Sequence, residues 1–195
     1  IAITIFFGYE FWQNQTKNNE LTASSLYADM LLSIENNKAE TLFAQATKIK
    51  ESYASTAYAP LAAMLSAKQY AKNNENEKSA NELKWAIDHA DEKIVSDLAK
   101  MQLARVYIAM QKFPEANTLL KEEYPAAWQS SINELNGDIQ AAKQNWEKAR
   151  NFYQLALRST KGGSTEFLQM KLDNLAQVAQ ADNANKNEKK TTATN

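Results

Sequence analysis

The sequence predicts an all-α protein, and three observations carry that expectation. Among 195 residues there are only four glycines and three prolines, too few for the many turns of a sandwich or a doubly wound fold. Ala, Leu, Gln, Glu and Lys dominate, and these side chains lose little freedom in a helix. Apolar residues recur at helical spacing almost everywhere after Asn19, and no stretch alternates with period two for long enough to form a strand.

The elements follow in order. Leu26, Met30 and Ile34 lie at i, i+4 and i+8, and Glu35-Asn36-Asn37 interrupts them. A second helix spans residues 39–49 with Leu42, Ala46 and Ile49 on one side. Tyr53-Ala54-Ser55 offers a break and a cap. Residues 57–72 carry Leu61, Met64, Leu65 and Lys68, and Asn73-Asn74-Glu75-Asn76 is the next turn. Residues 79–90 and 94–111 form another pair. Pro114 stands at a helix start, where its missing N–H costs nothing. Tyr124-Pro125 marks a stop, because the residue before proline disfavours the α region. Helices at 131–142 and 146–159 come next. Gly162-Gly163 is a stop signal, and Ser164 caps a last helix running to about residue 181. The Asn, Lys, Thr and Ala beyond it have the composition of a disordered tail.

The opening Ile1-Ala2-Ile3-Thr4-Ile5-Phe6-Phe7-Gly8-Tyr9 has no charged side chain. A spanning helix needs about 20 apolar residues, so this run reads as the trailing half of a span, with Tyr9 and Trp12 in the interfacial aromatic belt. Lys17 is the only basic residue before Lys38, which places the following domain on the non-cytoplasmic side. The alternative is an amphipathic first helix of a soluble domain.

Helix pairs invite a test for internal repetition. Ala104 to Gly137, Ala116 to Ala149 and Leu120 to Tyr153 share a spacing of 33 residues. Upstream, Ala67, Tyr70 and Ser79 precede Ala104, Tyr107 and Ala116 by 37, with Leu83 and Ala86 following. The longer spacing implies about four extra residues in the turn between residues 88 and 93. This resembles the tetratricopeptide pattern of Leu-Gly-x-x-Tyr followed by Ala-x-x-x-Phe. Small residues (Ala67, Ala104 and Gly137, then Ser79, Ala116 and Ala149) let paired helices approach. Leu83, Leu120 and Tyr153 fill the space between repeats. The third repeat has Gln140 where the pattern has an aromatic, and Sel1-like and other α-hairpin arrays are the alternatives. The expected architecture is a tetratricopeptide-like helix-hairpin array, an α-solenoid with a C-terminal capping helix that solvates its end. Its parts are a span remnant (1–12), a linker and degenerate helix pair (13–54), repeats (55–160), a cap (161–181) and a disordered tail (182–195).

The order of parts, with Leu103-Ala104-Arg105-Val106, Ala126-Ala127-Trp128, Gly137-Asp138 with Ala149, and Met170-Lys171-Leu172-Asp173-Asn174-Leu175, resembles the YfgM-type family of ancillary SecYEG translocon subunits. The likeness spans nearly all of residues 1–176 and leaves out the tail. It implies a single-span inner-membrane protein with a periplasmic repeat domain. It also implies association with the SecYEG translocon and with a PpiD-like periplasmic chaperone, and a part in handing over newly exported proteins.

The residues themselves argue against catalysis, cofactors and metals. Net charge is −1, so no global field steers the chain to nucleic acid. There is no cysteine, which excludes disulfides, thiolate metal sites and Cys nucleophiles. His89 is the only histidine; one ligand makes no zinc site, and a helix C-terminus favours an exposed imidazolium. Glu122-Glu123 and Asp88, Asp91 and Glu92 read as solvated faces, and Gly162-Gly163 lacks the residues of a phosphate loop. The expected function is protein binding. Outward positions of the first helix of each pair are Met64, Lys68 and Lys72, then Met101, Arg105 and Ile108, then Glu134 and Asp138. They would make a groove that is basic and Met-bearing at one end and acidic at the other, suited to a peptide or a partner's helix. Trp85 and Trp146 read as core, and Trp128, after a Pro-broken turn, as an interface anchor. Two other functions fit the pattern: a structural repeat module in envelope or pilus assembly, and a cytosolic co-chaperone adaptor. The first would be marked by a lipobox Cys, which is absent. Lys68 and Arg105 suit the second, and Glu134 and Asp138 oppose it.

Overall fold

The computed structural model describes residues 2–160 and 165–178, with side chains given for Glu10 and from Trp12 onward. Every regular element in these residues is helical. The order is α1 (Ala2–Glu35), α2 (Ala39–Ser52), α3 (Tyr58–Lys72), α4 (Asn76–His89), α5 (Lys93–Ala109), α6 (Phe113–Leu120), a 3₁₀ turn (Ala126–Trp128), α7 (Gln129–Ala142) and α8 (Trp146–Ser159). A last helix, α9, covers residues 166–178. Residues 161–164, with the Gly162-Gly163 stop and the Ser164 cap, and the tail from residue 179 lie outside the described residues.

Four helix ends share one device. Asn37, Asn74, Gln111 and Gln144 adopt left-handed backbone, with φ of 55°, 62°, 58° and 59°. Each closes α1, α3, α5 or α7. In each, the N–H of the following residue reaches back five positions: Lys38 to Ser33 O at 2.8 Å, Glu75 to Tyr70 O at 2.9 Å, Lys112 to Tyr107 O at 2.8 Å, Asn145 to Gln140 O at 2.9 Å. The left-handed residue reaches back three. This is a Schellman closure, which satisfies carbonyls that a helix end leaves without partners. The four turns recur at spacings of 37, 37 and 33 residues, so the pair read as degenerate, α1 and α2, carries the same turn as the others. The four-residue difference lies elsewhere than expected. The connection from His89 to Lys93 holds only residues 90–92; the last spacing is shorter because α6 and α7 have 8 and 14 residues against 14 and 17 in α4 and α5, a loss partly offset by the longer connection at residues 121–128.

The chain divides into two compact units, Ile1–Val106 and Tyr107–Asn195. In the first, α1 packs on α2 and α3, α2 on α3, and α3 on α4. Ala23, Met30, Leu42, Ala46, Ile49, Ala59 and Ala62 form its core, edged by Tyr27, Phe43, Tyr58 and Trp85. Full burial of each large aliphatic chain contributes about 1.5–3 kcal/mol. The alanines let the helix axes approach closely. The residues expected as a polar joint after Trp12 are helical within α1, with exposed side chains through Asn18. Among the described residues, no helix is long and apolar enough to cross a membrane. In the second unit α7 pairs with α8, and Ala149, Tyr153 and Leu175 form a core with Ala141, Trp146 and Leu172 against it.

Candidate protein-binding surfaces

In the first unit, α3 buries Ala59, Pro60, Ala62, Ala63, Met64, Ser66 and Ala67, and α5 buries Asp97, Ala99, Met101, Leu103, Ala104 and Val106. Helices apolar over so much of their circumference have little free face. Met64 and Met101, expected to line a groove, are therefore 6% and 1% exposed and belong to the interior. Lys68, Lys72 and Arg105 are exposed. Met64 and Met101 were misplaced because spacing along one helix does not show how many neighbours surround it.

The small-residue positions sit as close-packing requires. Ser79 is fully buried, and its hydroxyl donates to the Ala67 carbonyl at 2.8 Å, tying α4 to α3. Leu83 of α4 is buried, and Tyr70 stacks on Phe43 with ring centroids 4.0 Å apart. Lys50 reaches both carboxylate oxygens of Glu82 at 2.7 Å and lies 5.6 Å from the centre of the Trp85 ring. This ion pair joins α2 to α4 across 32 positions of sequence and left no local signal. His89 is exposed, stacks on Trp85 at 3.8 Å and bonds its own helix through Nδ1. Among the described residues, no group of three or more His, Asp or Glu could hold a metal ion.

In the second unit Ala116, Leu120 and Ala149 are buried, and Tyr107 and Ile108 are half-buried. Trp128 is half-buried, stacked against Tyr124 at 6.4 Å. Gly137 has a specific reason to be glycine: a Cβ there would overlap Cδ1 and Cε1 of Tyr153. The ring lies flat on the α7 backbone, and its hydroxyl donates to Asp138 Oδ1 at 2.8 Å. Burial, then the charge of Asp138 and this hydrogen bond, push the Tyr153 phenol above its ordinary value.

Glu134 and Asp138 do not form an open acidic end. Lys171 of α9 places Nζ 2.7 Å from Glu134 Oε1, and 2.7 and 2.8 Å from the two oxygens of Asp138. All three side chains are largely covered, at 18%, 16% and 24% exposure. The sequence placed both acids facing outward. Instead, α9 packs beside α7 and supplies their counter-ion from 37 and 33 positions away. The outer side of α9 is mixed: Glu166, Gln169, Asp173 and Gln177 are exposed, and among them Phe167, Met170 and Val178 are about half exposed.

Paired helices closed by one recurring turn, with small residues at their crossings, define a helical-repeat protein whose side chains are arranged for packing and contact. Residues 1–177 match the tetratricopeptide repeat-like domain family, to which the chain belongs. The chain is 31% identical over 177 residues to the ancillary SecYEG translocon subunit of Aggregatibacter actinomycetemcomitans, covering 90% of this chain and 85% of that protein. The proteins of the same name from Neisseria gonorrhoeae and Escherichia coli K12 are 25% and 23% identical, each again over 90% of this chain and 85% of theirs. It is thus a member of the ancillary SecYEG translocon subunit family. No solved structure matches the chain.

Proposed function

We propose that the chain is a non-enzymatic, membrane-tethered interaction scaffold of the Sec translocon. Its repeat domain works in the periplasm and helps pass newly exported proteins to a PpiD-like chaperone. The observation that supports this most strongly is likeness to relatives named for that translocon role, running through 85% of their length. The periplasmic side is favoured by the opening sequence, where Lys17 is the only base among the first 37 residues. The exposed Lys68, Lys72 and Arg105 are the proposed partner contacts in the first unit.

Two measurements test it. Tagged full-length protein solubilised in mild detergent should recover SecYEG, and Arg105→Glu should reduce that recovery; equal recovery would count against the proposed contacts, and none from either protein against the translocon role. Because the chain has no cysteine, Lys68→Cys gives one labelling site. A membrane-impermeant maleimide should label it in spheroplasts, and labelling only after lysis would reverse the orientation.

A further inference from the structure

Helix α9 occupies a groove built by α7 and α8. Leu175 is buried with Ala149 and Tyr153, Leu172 and Trp146 pack against them, and Leu168 is buried. Lys171 neutralises Glu134 and Asp138, two acids largely shielded from solvent when the groove is occupied. An occupant lacking a cation there would leave both carboxylates poorly solvated and uncompensated, a costly arrangement. The groove thus selects for a basic residue flanked by leucines.

Its resident helix does not fill it. An open surface depression of about 260 Å³ is lined by Ala141, Trp146 and Tyr153 of the groove and by Lys171, Asn174, Leu175 and Val178 of α9. Asn174, short, polar and exposed, is among the α9 residues that line it. A helix as short as α9 is marginal by itself in water, so its order depends on a groove that it matches incompletely.

We propose that the α7/α8 groove is a receptor for an amphipathic helix of a partner protein, and that α9 is its resident, displaceable occupant. The fitting helix has Leu, a Lys or Arg three residues later, a bulky apolar residue three beyond that, and Leu next. These are the positions of Leu168, Lys171, Asn174 and Leu175. Charge complementarity to Glu134 and Asp138 fixes the basic position, and the depression fixes the bulky one. The inference does not depend on the translocon reading.

The probe is a fluorescent peptide of residues 165–178 carrying Asn174→Leu, titrated into the full chain. The resident helix competes at high effective concentration, so the chain bearing Lys171→Glu, whose α9 is repelled by the acids, should bind the probe about tenfold or more tightly than wild type. A probe with Lys171→Glu should bind neither. Asn174→Leu placed in the chain fills the depression from within and should weaken capture. Should Lys171→Glu unfold the chain by circular dichroism, excess probe added to wild type should speed amide exchange across residues 166–178. A probe that binds all chains alike, or none, overturns the proposal. So does exchange of α9 between mass-tagged wild-type chains to give a dimer, which would make a second copy the occupant.

Discussion

Gly137 and Tyr153 show how one missing methyl group sets a helix crossing. With no Cβ on α7, the phenol ring rests against the backbone and its hydroxyl reaches Asp138. Gly137→Ala would gain about 1 kcal/mol of helix propensity. It must also move a buried ring that a hydrogen bond holds in place. Overpacking of this kind costs about 1–3 kcal/mol. The expected net result is a less stable protein, seen as a lower midpoint in urea with the slope unchanged. The phenol adds a pH signature. Its folded value is raised, so the folded state holds that proton more tightly than the unfolded state does. The stability this contributes is complete below the ordinary tyrosine value of about 10 and is lost as pH rises above it. Tyr153→Phe should therefore flatten the alkaline limb of a stability profile measured from pH 8 to 11. A limb identical to wild type would show that Tyr153 is not responsible for it.

At the scale of the element, the left-handed turns mattered more than the helices they join. Asn tolerates that backbone better than other non-glycine residues, and Asn36-Asn37 and Asn73-Asn74 were legible as interruptions. Gln111 and Gln144 were not, because glutamine carries no preference for positive φ, and the turn bonds are made by the backbone. Gln144→Gly should raise stability by up to about 1 kcal/mol, relieved strain outweighing the added freedom of the unfolded chain. Thermal unfolding would check it, and a lower midpoint would mean that the glutamine side chain has an overlooked role. Beyond α1, which runs unbroken through the expected linker from Ala2, the helices were read with boundaries shifted by a few residues, because apolar spacing and proline act locally. The clamp from Lys171 to Glu134 and Asp138 could not be read, since those residues lie more than 30 positions apart and each looks like an ordinary solvated charge.

Across the whole molecule, the repeated spacing was the most legible feature, since close-packed helices admit only small residues at their crossings. The same pattern concealed which positions are open. Met64 and Met101 occupy what a two-faced helix would present to a partner, but α3 and α5 are buried on too many sides to present them. Burial is a property of neighbours, and one helix's sequence does not name them.

The recurring turn also separates the places where the chain tolerates new sequence from those where it does not. The turn joining α3 to α4 is fixed by two backbone bonds, from Asn74 to Ala71 and from Glu75 to Tyr70. One residue added beside Asn74 breaks both and swings the buried stripe of α4 by about 100°. The link at residues 90–92 has no such lock, and Asp91 and Glu92 are exposed. An epitope tag inserted between Asp91 and Glu92 should leave the melting temperature nearly unchanged, whereas a single alanine after Asn74 should lower it by several degrees.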